Sequence, residues 1–410
     1  MEYGLIGEKL SHSFSKELHG LIGNYDYSLV ELANNELEPF LTSKDFCGIN
    51  ITIPYKQDVI PYLDYIDDNA KSIGAVNTIV NKNGKLYGYN TDFLGMRFLI
   101  ENTYGNSLCG KKVLILGSGG TSKTAFSVAK SLGAEEAFVV SRKPISNEIS
   151  YNEAIVKHSN AHVIINTTPV GMYPNVNNSV IDLSNFDNLE LVVDAIYNPL
   201  NTKLVLDAKN LGIKATGGLL MLAAQAVYAY GLFFDKVIQE NKIIEVYKKL
   251  INLKQNIALV GMPSSGKTTI GKILAKKLCY RFVDTDQLII EKAAMPIPDI
   301  FAEYSEEYFR KLESEVIAEV SLENGVVIST GGGAVLKEEN VFNLKRNSKI
   351  FFLDRELSEL LPTNDRPLAN NIEKIKKLYE QRIIIYKSSA DYIVKPTTIE
   401  ETADIIIKNR

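Results

Sequence analysis

The sequence has few of the residues that build disulfide frameworks or metal sites. Its 410 residues include only three cysteines, Cys47, Cys109 and Cys279, which are far apart and form no CxxC pair. This usage suits a reducing cytosol, so we expect a cytoplasmic protein. The four histidines form no HExxH motif and no Cys/His cluster. We therefore expect no structural metal.

A strong excess of either charge is also missing. The chain has 45 basic and 49 acidic side chains, which gives a formal net charge of -4. Affinity for a phosphate backbone needs clustered Lys and Arg, so nucleic acid is not expected as a partner. The N-terminus carries glycines and charges where a signal peptide has an unbroken apolar core. The length allows two or three domains, each with its own core.

One uncharged stretch, residues 215–234, has about the length of a membrane span. It contains Thr216, the pair Gly217 and Gly218, and Gln225, and no second such stretch accompanies it. We predict a buried helix here and no association with a membrane.

Two segments share the order strand, glycine turn, helix. They are residues 111–133 (KKVLILGSGGTSKTAFSVAKSLG) and 256–278 (NIALVGMPSSGKTTIGKILAKKL). In each, small and apolar residues at helical spacing follow the turn. Between them, residues 236–256 read as an amphipathic helix with a short polar join, which predicts a domain boundary.

Three glycines shape the first turn: Gly117, Gly119 and Gly120. Such a turn lets backbone N–H groups approach a pyrophosphate at the helix N-terminus. Ser122 replaces the third glycine of GxGxxG, so a turn that merely packs stays open as an alternative.

The next strand points to the cofactor. It ends in Ser141, Arg142 and Lys143 and offers no carboxylate. An acid at this place would repel a 2′-phosphate, whereas cations attract it. The sequence therefore favours NADP over NAD.

The second turn, GMPSSGKT at 261–268, satisfies GxxxxGK[ST] after a strand and before a helix. Its backbone N–H groups are expected to cradle ATP phosphates, Lys267 to reach the transferred phosphoryl group and Thr268 to bind Mg²⁺. The predicted ATP-binding residues of this loop are Gly261, Ser264, Ser265, Gly266, Lys267, Thr268 and Thr269.

Four polar clusters precede the first turn: SHSFS (11–15), NITIPYK (50–56), GAVNT (74–78) and NTD (90–92). Two of them add an ionisable group, Lys56 and Asp92. From spacing alone, the default interpretation of Lys56 is a solvated surface charge and that of Asp92 is a helix N-cap.

These clusters resemble those of the shikimate dehydrogenase family, as do NTTPVGM (166–172), DAIYNP (194–199) and GGLLMLAAQA (217–226). The resemblance runs from residue 4 to about 230. It implies reduction of 3-dehydroshikimate to shikimate by NADPH, with Lys56 as proton donor and Asp92 as its partner. The implied substrate contacts are Ser13, Ser15, Asn50, Thr52, Asn77, Tyr197 and Gln225. The implied cofactor contacts beyond the glycine turn and residues 141–143 are Asn166, Thr167, Met172 and Gly218.

The second half resembles the shikimate kinase family in FVDTDQLI (282–289), IFAEYSEEYFRKLE (300–313), VISTGGG (327–333), DRPL (365–368) and RIIIYKSSAD (382–391). The resemblance implies phosphorylation of the shikimate 3-hydroxyl by ATP with Mg²⁺. Asp284 then matches a magnesium residue and Asp286 the carboxylate at the acceptor hydroxyls. Arg310, Gly332 and Arg382 match shikimate contacts, and Arg366 the arginine that closes over the phosphates. Ser305 stands where the family usually has glycine.

The prediction is an α/β chain of three domains whose strands alternate with helices. They are a substrate-binding domain at 1–100 completed by the helices of 218–250, a Rossmann-like NADP domain at 101–217, and a P-loop kinase domain with a parallel sheet at 255–410. The expected function is a bifunctional enzyme of aromatic amino-acid biosynthesis acting on small molecules. A dehydrogenase that also accepts quinate or NAD, and a regulatory sensor built from the same folds, stay open as alternatives.

Overall fold

The structure is a computed structural model that describes residues 1–10, 13–361 and 371–410. The chain divides into two units, Met1–Ile251 and Asn252–Arg410. The three domain ranges expected from the sequence are finer than this division, and their limits stay predictions.

The first unit begins with a six-stranded sheet in the order β2-β1-β3-β5-β6-β4. Strands β1, β2 and β3 run parallel, whereas β5 is antiparallel to both β3 and β6. The strands are β1 (Tyr3–Gly7), β2 (Tyr27–Glu31), β3 (Gly48–Ile51), β4 (Tyr65–Ile66), β5 (Thr78–Lys82) and β6 (Lys85–Tyr89). The helices of this part are α1 (Ser15–Ile22), α2 (Leu37–Ser43), α3 (Asp68–Ile73) and α4 (Thr91–Thr103).

A second six-stranded sheet follows in the order β12-β11-β10-β7-β8-β9, and all its strands are parallel. Its strands are β7 (Lys112–Leu116), β8 (Glu136–Ser141), β9 (Ile149–Ser150), β10 (Val163–Asn166), β11 (Leu191–Asp194) and β12 (Lys214–Thr216). The next helices are α5 (Gly120–Ser131), α6 (Tyr151–Lys157), α7 (Lys203–Asn210), α8 (Leu219–Phe233) and α9 (Glu240–Lys254). Apolar strand residues such as Val113, Ile115 and Val163 are fully buried, as expected of a parallel sheet with two covered faces.

Helix α8 forms where the long uncharged stretch predicted a buried helix. Most of its residues are buried, and it packs against α4 at close range. Gly95 of α4 permits this approach, since a Cβ at Gly95 would lie 2.7 Å from the carbonyl oxygen of Met221. The contact brings Gln225 of α8 beside the first turns of α4. Over residues 1–10, 13–361 and 371–410, no helix combines the length and apolarity that crossing a membrane requires.

The second unit is built on a five-stranded parallel sheet in the order β14-β15-β13-β16-β17. The strands are β13 (Asn256–Val260), β14 (Arg281–Asp284), β15 (Val326–Ser329), β16 (Ser348–Leu353) and β17 (Tyr392–Val394). The helices are α10 (Lys267–Leu278), α11 (Thr285–Ala293), α12 (Ile297–Glu303), α13 (Glu306–Val320), α14 (Glu338–Asn347), α15 (Ile372–Ser389) and α16 (Ile399–Lys408). The predicted α/β class with parallel sheets is confirmed.

Candidate active sites

The first unit encloses a cavity of about 570 Å³ beside the residues that follow β1 and β3 and the starts of α4 and α8. The nine side chains expected from the sequence to bind or reduce the substrate all line it. They are Ser13, Ser15, Asn50, Thr52, Lys56, Asn77, Asp92, Tyr197 and Gln225. The fold thus gathers residues that are scattered over most of the unit.

An ion pair stands at the wall of this cavity. The Lys56 ammonium lies 2.6 Å from the Asp92 Oδ2 atom, and the two side chains keep 32% and 22% of their surface exposed. Asp92 is in the first turn of α4, where the helix dipole favours a negative charge. An ammonium held in this way is placed to give a proton to a group inside the cavity.

Asn90, and not Asp92, caps α4. The Phe93 N–H donates to Asn90 Oδ1 at 3.1 Å, and Asn90 Nδ2 donates to the carbonyl of Ala75 at 2.9 Å. The alternative interpretation of Asp92 as an N-cap is therefore wrong, and its carboxylate is left for Lys56.

The dinucleotide turn lies between β7 and α5. Gly117 has a φ of 103°, and a Cβ there would lie 2.9 Å from the Thr168 methyl carbon. Ser122, which stands at the third glycine position, is buried and donates from Oγ to the Gly119 carbonyl at 2.6 Å. The serine thus closes the turn from inside. A Cβ built at Gly119 or Gly120 meets no atom of the described residues within 4 Å, which leaves room for a phosphate group at the helix N-terminus.

The residues at the end of β8 bear on the choice between NADP and NAD. Ser141 is buried, and its Oγ accepts a hydrogen bond from the Lys143 N–H at 3.3 Å. Arg142 and Lys143 are exposed. Two cations beside an ordered hydroxyl fit the 2′-phosphate of NADP better than the free ribose hydroxyls of NAD.

Three of the predicted cofactor contacts, Asn166, Thr167 and Met172, differ in solvent exposure. Asn166 is fully buried: its Nδ2 donates to Asp194 at 3.0 Å, and its Oδ1 accepts from the N–H and hydroxyl of Thr168. The Thr167 hydroxyl donates to the Leu116 carbonyl at 2.7 Å. Met172, in contrast, is exposed. The first two side chains hold the loop together, and their contact with a nicotinamide stays a prediction.

Gly218 connects the two sites of the first unit. A Cβ at this position would overlap the carbonyl of Ala195, so no larger residue fits without a shift of the backbone. Gly218 and Thr121, from the dinucleotide turn, both line the cavity that holds Lys56. A dinucleotide on the turn and a small acid in the cavity would therefore share one space.

The phosphate loop of the second unit runs from β13 into α10. Gly261 has a φ of 148° and Gly266 a φ of 93°, conformations that favour glycine. Lys267 is buried and donates to the carbonyls of Gly261 and Met262 at 2.9 and 2.8 Å. Ser265 Oγ is buried and finds no hydrogen-bond partner among the described residues, whereas Thr269 is exposed. The loop and its lysine have the geometry of a nucleotide-phosphate site.

Oxygen atoms suited to Mg²⁺ stand at the start of α10. The Thr268 hydroxyl donates to Asp284 Oδ2 at 2.8 Å, and Asp284 Oδ1 accepts from the Asp286 N–H at 3.1 Å. Hydroxyl and carboxylate oxygens are the ligands that this ion prefers, so the pair fits the magnesium position expected from the sequence.

A second cavity, of about 600 Å³, opens beside these residues. Among its lining side chains are the expected shikimate contacts Asp286, Arg310 and Arg382, together with residues 331–333. Arg382 is buried and donates to the Gly332 carbonyl at 3.1 Å. A Cβ at Gly333 would overlap the Arg310 guanidinium, so the glycine run gives this arginine its room.

Glu313, one helical turn after Arg310 on α13, holds the Arg310 side chain in place. The Arg310 Nη1 atom donates to Glu313 Oε2 at 2.7 Å, and the Glu313 side chain is almost completely buried. Burial acts to lower the pKa of Arg310, but the carboxylates of Glu313 and Glu306 outweigh it and raise the pKa. The guanidinium is therefore a fixed positive charge at the cavity.

Arg366, expected to close over the phosphates, lies outside the described residues, and its role stays a prediction. The sequence reasoning also missed lining residues. Lys9 and His19 face the first cavity, and Lys272 and Gln287 the second. His19 lies one turn beyond the SHSFS cluster, so helical spacing from Ser15 was the available signal.

Comparisons with known proteins find a matching family for each of the two units. A family model described as shikimate dehydrogenase substrate binding domain matches residues 5–79, and one described as shikimate kinase matches residues 263–409. The shikimate dehydrogenase (NADP(+)) of Clostridium beijerinckii is 38% identical over 244 residues, which are 55% of this chain and 89% of that protein. The protein of the same description from Methanococcus vannielii is 37% identical over 278 residues, 60% of this chain and 96% of its own.

Solved structures extend the comparison to the fold. A chorismate mutase/shikimate 5-dehydrogenase fusion protein from Clostridium acetobutylicum is 35% identical, with a TM-score of 0.57 over 60% of this chain and 96% of that chain. Shikimate 5-dehydrogenase from Thermus thermophilus, solved with NADP(H) and shikimate, is 26% identical, with a TM-score of 0.54 over 61% of this chain and 99% of that chain. The resemblances to the two families are confirmed. The chain therefore belongs to the shikimate dehydrogenase family and joins it to a shikimate kinase domain, which makes it an enzyme of the shikimate pathway.

Proposed function

We propose that this chain catalyses two successive reactions, the reduction of 3-dehydroshikimate to shikimate with NADPH and the phosphorylation of shikimate with ATP. The observation that carries the proposal is the convergence of nine predicted side chains, including the Lys56–Asp92 pair, on one cavity. The second cavity, with Asp286, Arg310 and Arg382 beside the phosphate loop, supports the second reaction.

In the reduction, NADPH would supply a hydride to the carbonyl carbon of the substrate. Negative charge then develops on the carbonyl oxygen, and Lys56 would donate a proton to it. Asp92 holds the ammonium at 2.6 Å and so fixes the direction of that transfer. The hydroxyls of Ser13 and Ser15, which line the cavity, would bind the substrate carboxylate. The names of the relatives and the cations Arg142 and Lys143 both support NADP as the cofactor.

In the phosphorylation, ATP with Mg²⁺ would supply the transferred phosphoryl group. The guanidinium groups of Arg310 and Arg382 would bind the shikimate carboxylate, for which their planar shape is suited. Asp286 would orient the acceptor hydroxyl. Lys267, which donates to carbonyls of its own loop in this structure, would turn its donors to the phosphates.

The test is product identification after 3-dehydroshikimate, NADPH and MgATP are supplied together. We expect shikimate 3-phosphate from the parent chain. Lys56→Ala should slow shikimate formation by at least about 100-fold, since it removes the proton donor, yet still phosphorylate added shikimate. The Lys267→Ala protein should form shikimate but should not phosphorylate it. Lys130→Ala and Lys387→Ala, on exposed lysines of the two units, are the matched controls.

Two other outcomes would contradict the proposal. Equal kcat/KM for quinate and shikimate, or for NAD and NADP, would establish a dehydrogenase of broader specificity. Absence of both reactions in a protein that still binds shikimate would favour a sensor. The intact ion pair Lys56–Asp92 and the ordered phosphate loop support the enzyme.

A further inference from the structure

A buried network of hydrogen bonds runs behind the first cavity and joins two expected substrate contacts, Asn50 and Asn77, to Tyr27 and Thr78, which have no role in the reaction scheme. The Tyr27 hydroxyl donates to Asn50 Oδ1 at 2.8 Å. Asn50 Nδ2 donates to the Thr78 hydroxyl at 3.0 Å, and that hydroxyl donates to Asn77 Oδ1 at 3.1 Å. Thr78 is completely buried and stands directly opposite Asn50 in the β3–β5 pair.

Two backbone groups decide which way the amides point. The Thr91 N–H lies 2.7 Å from the Asn77 side chain and can only donate, so the atom that faces it is the Asn77 oxygen. The Asn77 carbonyl can only accept, so the Asn50 atom 3.4 Å away is the amide nitrogen. These assignments agree with the direction of the chain from Tyr27 to Asn77.

The Asn77 oxygen has no acceptor capacity left for a ligand. It accepts from the Thr91 N–H and has the hydroxyls of Thr78 and Thr91 at 3.1 and 3.2 Å, whereas a carbonyl oxygen has two lone pairs. Asn77 Nδ2, in contrast, makes no hydrogen bond within the described residues, and Asn77 lines the cavity. The only polar group it offers to a ligand is therefore a donor.

At the Tyr27 end of this hydrogen-bond network, Tyr27 and His19 each keep one protonation state. His19 stacks on the Tyr27 ring with centroids 3.9 Å apart, and its Nδ1 forms a hydrogen bond with the Tyr25 hydroxyl. Burial raises the pKa of Tyr27 well above its usual value, so the phenol keeps the proton that it donates. Burial lowers the pKa of His19 to about 3, which keeps the stacked ring neutral.

We propose that Thr78 is a positioning residue for the reduction: its hydroxyl links Asn50 to Asn77 and fixes the Asn77 amide as a hydrogen-bond donor to a ring hydroxyl oxygen of the substrate. Hydrogen bonds aligned in one direction polarise one another, so Tyr27 and Asn50 strengthen the donor at the end. The inference rests on the proposed function and deepens it, since it assigns the polarity of one substrate contact.

The test uses the full chain and steady-state oxidation of shikimate with NADP⁺. Thr78→Val keeps the shape of the side chain and removes the link, so the KM for shikimate should rise about tenfold. The kcat and the KM for NADP⁺ should each stay within about twofold, because these groups do not touch the hydride or the cofactor. Thr78→Ser restores a hydroxyl and should return the KM for shikimate to within about twofold of the parent.

A double-mutant cycle with Asn77→Ala shows whether Thr78 acts through the amide. The combined Thr78→Val and Asn77→Ala protein should lose less affinity for shikimate than the product of the two single losses. Tyr27→Phe removes the hydrogen bond to Asn50 at the far end of the network and should also raise the KM for shikimate. This variant replaces Thr78→Val in the test if Thr78→Val does not fold. Three results would each overturn the inference and leave the proposed function intact. They are a loss of affinity in the double variant equal to the product of the two single losses, an unchanged KM for shikimate in Thr78→Val, and a KM for shikimate in Thr78→Ser as high as in Thr78→Val. No shikimate oxidation by the parent chain would overturn the proposed function and the inference with it.

Discussion

Asp194 ends β11 with its carboxylate enclosed by the protein. It accepts hydrogen bonds from the Ile196 N–H at 3.0 Å, from Asn166 Nδ2 at 3.0 Å and from the Thr202 hydroxyl at 2.6 Å. Burial raises the pKa of Asp194 from 3.8 to about 6, although the three donors oppose this rise. The loop that follows β10 and the loop that follows β11 are thus joined through one carboxyl group.

The raised pKa predicts how Asp194 affects stability. Since the folded state binds this proton more tightly, the stabilisation is complete below about pH 3.8 and is lost as the pH rises through about 6. Asp194→Asn keeps an acceptor for Ile196 and Asn166 and never ionises. From pH 5 to pH 8 the parent should therefore lose about 1 kcal/mol of unfolding free energy relative to the variant.

Hydrogen exchange of the β10 and β11 amides, corrected for the intrinsic pH dependence, measures this difference locally. Thr202→Ala is the control, because it removes one donor to Asp194 and leaves the ionisable group in place. A difference between parent and Asp194→Asn that is the same at pH 5 and pH 8 would show that Asp194 does not titrate in this range.

Ser305 precedes α13 with φ 151° and ψ 168°, a region that is almost restricted to glycine. Its hydroxyl accepts the Tyr308 N–H at 3.3 Å and so caps the helix. A non-glycine residue there costs roughly 1–3 kcal/mol, whereas replacing a serine cap by glycine costs a few tenths. Ser305→Gly should therefore stabilise α13 by about 1 kcal/mol, even after the larger chain entropy of glycine is counted.

Protection of the α13 amides against hydrogen exchange reports on this change. Ser305→Ala retains the Cβ and loses the cap, so its protection should fall below that of the parent. If the glycine variant also falls below the parent, the backbone at residue 305 is not strained. Because α13 carries Arg310 and Glu313, both variants also show how far the geometry of the second cavity depends on this turn.

Among the elements, the crossing of α4 and α8 decides where the first cavity closes. Gly95 lies at the crossing, and a Cβ there would be 2.7 Å from the Met221 carbonyl and 3.1 Å from the Gln225 backbone nitrogen. Both neighbours are backbone atoms, so they move only if the helix moves. The same contact sets the distance between Gln225 and Asp92, which face one cavity from two helices.

Gly95→Ala should therefore separate the helices and raise the KM for shikimate, with a loss of unfolding free energy of about 1–3 kcal/mol from overpacking. Gly20 in α1 is the matched control, since a Cβ there would have no atom within 4 Å in the part of the chain that the structure describes. Gly20→Ala should leave the KM unchanged and stabilise the unit by roughly 0.5–1 kcal/mol. Shikimate kinetics and thermal inactivation of shikimate oxidation measure both effects, and equal behaviour of the two alanines would contradict the close crossing.

The sequence predicts well the elements that follow a local pattern. Apolar runs before glycine turns predicted β7 and β13, and both turns open helices as expected. Strand β3 ends at Ile51, and the Thr52 N–H makes one more hydrogen bond to the Ile6 carbonyl of β1 before Pro54, which has no N–H to donate. The β5–β6 hairpin was not predicted, although Asn83 and Gly84, both with positive φ, are a strong hairpin signal.

The parts of the site that the sequence did not reveal depend on pairs far apart along the chain. Thr78 looks like an ordinary strand residue until its cross-strand partner Asn50 is known. Gly95 looks like a weak point in a helix until Met221 is known to pass beside it. His19 has no local feature that predicts its stack on Tyr27. Local patterns specify elements, whereas these contacts follow from the tertiary arrangement.

At the scale of the whole molecule, α9 fixes where the first unit ends. Ile243, Val246 and Leu250 are fully buried and belong to the same hydrophobic core as β7, α4 and α8. The amphipathic segment at the predicted domain boundary is therefore a structural part of the dehydrogenase unit and not a spacer. In the second unit, the Tyr280 hydroxyl donates to the carbonyl of Asn252, so that unit includes residues ahead of β13.

This assignment predicts that the two activities fail separately when α9 is damaged. In the full chain, Val246→Asp places a charge in the core of the first unit and should abolish shikimate oxidation. A domain is usually stable by only about 5–15 kcal/mol, and an unpaired buried charge together with the lost packing exceeds this stability. Phosphorylation of added shikimate should persist. Lys248→Asp, on the exposed face of the same helix, should preserve both reactions.

Fragments give the same test without a substitution. Residues 1–251 should oxidise shikimate, whereas residues 1–238 should not, because that fragment loses three buried apolar side chains at roughly 2 kcal/mol or more each. Residues 252–410 should phosphorylate shikimate alone. Loss of the kinase reaction in Val246→Asp or in the 252–410 fragment would mean that the second unit needs the first to fold. If the kinase reaction persists in both of these proteins, the stability of each unit is its own, and α9 is the last element of the dehydrogenase unit.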